Sequence, residues 1–199
     1  MFLNKNPHLE SQIASISDDV AYNNHDVEDA LRAGLINLQA LNEVMYFQEI
    51  IQELKGRYPD IEDNLLTYQM LRMSISKMIK DIIKNSNKNI SQLKIKTNND
   101  VFNQSNFLIS MSDNMKIDSI KIRKFLYKNV YNHPKLIKKR VNSENTILKL
   151  FEYFEKNFDQ LPIDWLSRNK KQSKHRIICD YISGMTDRYA SKLYRSLYE

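Results

Sequence analysis

A chain of 199 residues that is 42% hydrophobic and 10% aromatic, with only three glycines and four prolines, has enough apolar side chain for one ordinary core. It has too little turn punctuation for a strand-rich fold, so a single all-α domain over 1–199 is expected. The lone Cys179 excludes an internal disulfide. No charged leader with a cleavage site opens the sequence, and no apolar run reaches the roughly 18 residues that cross a bilayer, so the expected address is the cytoplasm with no membrane partner.

The net charge of +6 is unevenly spread. From Glu10 to Asp63 there are 12 acidic and 3 basic residues, whereas Lys116 to Arg140 holds 9 basic and one acidic. A second basic cluster is Arg168, Lys170, Lys171, Lys174 and Arg176. Such clusters either face phosphates or solvate a surface, and an AT-rich coding bias toward lysine is a third source of the charge.

In chain order, apolar residues at Leu9, Ile13, Ile16 and Val20, continued by Val27 and Leu31, predict a first helix with one buried stripe, stopped at Gly34. Asn42 reads as the N-cap of a second helix through Val44, Phe47, Ile50, Ile51 and Leu54, broken at Gly56 and Pro59. Asp60 and Asp63 open a long third, carrying Leu65, Leu66, Met70, Met73, Met78, Ile79, Ile82 and Ile83 as its apolar positions and ending at the Asn- and Ser-rich run from 85. The composition of 85–113 predicts a long irregular loop with at most one short extended piece. Helical period returns at Ile117, Ile120, Phe125, Leu126 and Val130. It restarts at Pro134, again at an Asn142 or Ser143 cap, and for a last helix from about Lys174 to Leu197.

At 100° per residue, Asp18, Tyr22, Asp26 and Asp29 fall in a narrow arc opposite the first helix's apolar stripe. Stacked carboxylates of this kind repel by a few tenths of a kcal/mol per pair, which water tolerates and a cation or ligand hydroxyl would offset. Spacing alone leaves both a solvated face and a ligand face open.

The run SDDVAYNNHDVEDALRAG, residues 17–34, resembles a block of the deoxyguanosine triphosphate triphosphohydrolases and their HD-superfamily relatives. FLYKNVYNHPKL at 125–136 and CDYISGMTDRYA at 179–190 resemble two further blocks of the same family. The resemblance implies the C-terminal portion of an HD-superfamily helical domain. It also implies hydrolysis of a deoxynucleoside triphosphate to deoxynucleoside and triphosphate, with a divalent ion such as Mn or Mg. Carried over by position, Asp18 is the metal ligand, and Tyr22 and Asp26 contact the deoxyribose, Asp26 reading the 3′-hydroxyl. No residue is assigned to the phosphates. The His25-Asp26 dipeptide spells the superfamily's name but matches a downstream run, and no second histidine on its helix lies at ligand spacing. In the terminal block, Gly184 would permit close packing, with Asp187 and Arg188 ion-paired.

The family's remaining metal ligands, a histidine and an adjacent histidine-aspartate pair, lie upstream of the block that begins here at Leu9. Met1 to His8 is too short to carry them. The expectation is therefore a truncated or split C-terminal half, inactive alone, whose partners are a deoxynucleoside triphosphate, a separately encoded N-terminal half and, in the complete form, further copies of itself. The alternative is a non-catalytic remnant that binds nucleotides or nucleic acid.

Overall fold

The computed structural model describes residues 5–168 and 172–198, which form helices and connecting turns with no strand among them. Contacts group the chain into two compact units, Met1–His133 and Pro134–Glu199.

The first unit contains α1 (Leu9–Arg32), α2 (Met45–Arg57), α3 (Asp63–Gln92), the short α4 (Asn98–Phe102) and α5 (Asp113–Leu126), which runs on into a π-helical turn, Tyr127–Tyr131. α1 stops where the sequence predicts. Gly34 takes φ +62°, and the Leu35 and Gly34 amides close back on the carbonyls of Ala30 and Leu31, a left-handed cap that glycine adopts without strain. The core is Leu41, Phe47 and Ile50 against Leu66, Met70 and Met78, all essentially inaccessible, with Val27 of α1 and Ile122 and Leu126 of α5. Each such side chain contributes about 1.5–3 kcal/mol. Met70 and Met78 are core filler, as their spacing predicts, whereas Met73 is half-buried and Leu65, Ile79 and Ile83 are exposed, because the long α3 buries only one face.

Three further expectations are corrected in this unit. Asn42 is not the cap of α2: it sits in a 3-10 turn, Ala40–Glu43, and Val44 precedes the helix. The buried stripe of α1 is not Leu9-Ile13-Ile16, since Ile13 is 49% exposed while Gln12 is 1% exposed. The reason is a hydrogen-bonding demand elsewhere: the buried amides of Leu108 and Ile109 both donate to Gln12 Oε1, at 2.8 and 3.1 Å.

The long irregular loop over 85–113 is also much shorter than expected, because α3 continues to Gln92 and α4 intervenes. The Asn- and Ser-rich run is helical because its polar side chains dock the returning chain. Asn85 Nδ2 donates to the carbonyls of Ser110 and Met111, Asn89 Nδ2 donates to that of Leu108, and Ser86 Oγ accepts from the Ser110 amide. Asp81 accepts from both the amide and the hydroxyl of Ser112, whose own Oγ caps α5. The segment 107–112 thus lies with its backbone satisfied by helix side chains instead of a partner strand.

The second unit contains α6 (Pro134–Lys156), α7 (Ile163–Arg168), α8 (Lys174–Ser183) and α9 (Asp187–Tyr198). Its core is Phe154, Leu161, Ile177 and Ile178, flanked by Phe151, Tyr181 and Leu193. α6 starts at Pro134 as predicted but runs unbroken past Asn142 and Ser143, both exposed, so neither caps a new helix. The predicted last helix is two, divided at Gly184; Thr186 Oγ1 accepts from the Tyr189 amide to begin α9. A Cβ at Gly184 would meet only ordinary contacts of 3.5 Å or more, so packing does not demand glycine there. Arg176 pairs with Asp180, one turn on, and no Asp187–Arg188 pair forms among the described residues. Of the basic cluster before α8, the side chain of Arg168 and all of Lys170 and Lys171 lie outside the described residues; Lys174 sits over the Phe158 ring.

Candidate functional site

The residues singled out by sequence stand on the outer face of α1. Asp18 and Tyr22 are exposed, and Asp26 is half-buried. What the sequence reading missed is their partner. The π-helical turn after α5 brings Tyr131 to this face, where its hydroxyl donates to Asp26 Oδ2. Burial, and then the neighbouring Asp26 and Tyr22 side chains, push the Tyr131 phenol far above its ordinary range, so it stays protonated and remains a donor. Tyr131 lies within the family-like stretch 125–136, so its position was visible in the sequence while its chemistry was not.

The rest of α5 is fixed to α1 by polar contacts. Asn23 Nδ2 donates to Ser119 Oγ at 3.3 Å, both residues being buried, and Arg123 lies 3.8 Å from Asp19. On the opposite side of α1, Asn24 donates to the Val20 carbonyl and accepts from Ser74 Oγ at 2.6 Å, locking α1 to α3. The π-helical turn also holds a buried amide nitrogen, Asn129 Nδ2, with no protein partner, an arrangement that is uncommon in satisfied interiors.

Beside the acidic face, a cleft of about 1000 Å³ runs between α1, α3, α5 and the segment 104–111. Asp19, Lys88, Asp113, Lys116 and Arg123 supply its charge, and Phe107 and Ile120 part of its apolar wall. Asp18, Tyr22 and Asp26 stand outside that lining. His25 is exposed, with Nδ1 3.6 Å from Glu28. Among the described residues no group of three or more His, Cys, Asp or Glu side chains is placed to hold an ion. Of the other histidines, His175 pairs with Glu155 and stacks on Phe151, and His8 packs edge-on against Phe102. No described helix is long and apolar enough to cross a membrane.

Residues 109–196 match the family described as a phosphohydrolase-associated domain. The chain is also similar to deoxyguanosinetriphosphate triphosphohydrolase-like proteins: one from Brucella anthropi is 34% identical over 194 residues, covering 96% of this chain and 48% of that protein. Another from Bartonella henselae is 32% identical over the same shares, and one from Leptospira interrogans is 33% identical, covering 96% of this chain and 51% of its own. The chain spans about half the length of the curated relatives it matches. By sequence, the chain is homologous over 96% of its own length, and about half of theirs, to the deoxyguanosinetriphosphate triphosphohydrolase-like proteins.

Proposed function

We propose that this chain supplies part of the active site of a deoxynucleoside triphosphate triphosphohydrolase, which turns a dNTP and water into a deoxynucleoside and triphosphate. The observation that supports the reading most is the hydrogen bond from Tyr131 to Asp26 beside Tyr22. An ionised carboxylate only accepts hydrogen bonds, so with Oδ2 engaged by Tyr131, Oδ1 of Asp26 is left to accept the 3′-hydroxyl of a deoxyribose. A site whose acceptor is fixed in this way discriminates strongly against a sugar lacking that hydroxyl. The ring of Tyr22, 58% exposed, offers the adjoining surface for the sugar.

Asp18 is proposed as one ligand of a divalent ion; its oxygens suit a hard cation such as Mn or Mg, which when bound activates water. One carboxylate does not make such a site, and the described residues do not complete it. The remaining ligands are therefore assigned to a histidine-aspartate-bearing segment outside the described residues, carried in the same or a separate polypeptide. A second reading, nucleotide binding without turnover, shares Asp26 and Tyr22 and differs only at the ion; the lack of a ligand cluster among the described residues favours it for those residues taken alone.

Two assays test these assignments. The purified chain with manganese and dGTP is expected to release no triphosphate; release would overturn the claim that ligands are lacking. In the form completed by the histidine-aspartate segment, Asp18→Ala and Asp26→Ala are each expected to abolish turnover, and retained turnover in either would refute that residue's role.

A further inference from the structure

The outer groove between α2 and α3 holds a second concentration of charge, independent of the face carrying Asp18, Tyr22 and Asp26. It is a recess of about 330 Å³ in which Arg57, Arg72, Lys77 and Lys80 meet a single carboxylate, Glu53. The groove is built across two helices: Glu53 of α2 pairs with Arg57 one turn on and with Lys77 Nζ of α3 at 2.9 Å. That arrangement fixes two of the cations and neutralises about one charge. Arg72 and Lys80, two turns apart on the exposed face of α3, have no ion pair among the described residues, and Ser76 lies between them as a neutral donor.

Four cations against one anion repel one another, and an anionic ligand with several oxygens placed among them would relieve that repulsion more than water and salt do. No aromatic ring lines the groove, so nothing there would stack on a base. Arginine forks with lysine point charges on either side match a chain of phosphates. We infer that this α2–α3 groove is a binding site for a linear polyphosphate anion, recognised by its charge and not by any nucleoside attached to it. The shared chemistry fits free triphosphate and the tail of a nucleoside triphosphate alike. The site does not rest on the proposed function, because none of its residues takes part in that reading.

The test is isothermal titration of the 199-residue chain with sodium tripolyphosphate at fixed ionic strength, repeated with orthophosphate, dGTP and a single-stranded oligonucleotide. Expected are saturable tripolyphosphate binding and weaker binding of orthophosphate. The Arg72→Ala/Lys80→Ala double variant should lose about 10-fold or more in affinity, the worth of one or two charge-assisted contacts. A second double variant, Lys138→Ala/Lys139→Ala on α6, removes the same charge elsewhere and should change little. Equal binding of dGTP and tripolyphosphate supports recognition of the phosphates alone. Much tighter binding of dGTP that is lost in Arg72→Ala/Lys80→Ala would point to a base-reading site in this groove and overturn the inference, as would an oligonucleotide that outcompetes tripolyphosphate there; dGTP binding untouched by that variant belongs to the face of Asp26 and Tyr22. Unchanged affinity in Arg72→Ala/Lys80→Ala, or an equal loss in the α6 variant, would also overturn it.

Discussion

The hydroxyl of Tyr131 donates to the carboxylate of Asp26 across 105 residues of sequence, joining the π-helical turn after α5 to the outer face of α1. Tyr131→Phe removes that donor and keeps the ring. Hydrogen bonds to charged groups contribute about 1.5–3 kcal/mol, so the variant should unfold at lower urea concentration, with a loss of unfolding free energy within or below that range. In a catalytically complete form it should weaken deoxynucleotide binding several-fold, since Asp26 is no longer held. Unaltered stability together with unaltered KM would contradict this role.

Gln12 is a second long-range clasp. Its side chain accepts from the amides of Leu108 and Ile109 and donates to the Pro7 carbonyl. Gln12→Ala leaves two buried amides without a partner and should cost about 2–4 kcal/mol in chemical denaturation. Amide hydrogen exchange at Leu108 and Ile109 should accelerate in step.

These two residues mark what local sequence pattern can and cannot disclose. The extent of α1, its stop at Gly34, the start of α6 at Pro134 and the methionine core of α3 follow from periodicity and capping chemistry, because those signals act within a few residues. The helical state of 85–92 does not, since Asn85, Ser86 and Asn89 have the composition of a loop and become helical by satisfying a backbone segment some 20 residues later. The same holds for the polar stripe of α1, where Gln12 replaces Ile13 at the buried face. For the site, Asp18, Tyr22 and Asp26 were visible through family resemblance and helical spacing, whereas the pairing of Tyr131 with Asp26 required the fold.

Tyr46 supplies a pH test of the core. It is buried, and its hydroxyl donates to the Ser74 carbonyl at 2.9 Å. Burial, opposed in part by the Ser74 side-chain hydroxyl and reinforced by Asp118 and Asp81, pushes its phenol from 10.0 up to about 12. The folded chain therefore keeps a proton that the unfolded chain loses near 10. Its contribution is complete below that pH and is lost as pH rises toward about 12. Urea midpoints should fall across this window in the native protein and fall less in Tyr46→Phe. Parallel curves for the two proteins would rule Tyr46 out as the cause.

The most direct measurement of the central assignment is an NMR titration of the chain with deoxyguanosine and, separately, with 2′,3′-dideoxyguanosine. Shifts at Tyr22, Asp26 and Tyr131 that appear with deoxyguanosine, vanish in Asp26→Asn and are absent at the same concentration of the dideoxy compound are the predicted result. Equal shifts from both nucleosides, or shifts that survive Asp26→Asn, would contradict the claim that this carboxylate reads the 3′-hydroxyl.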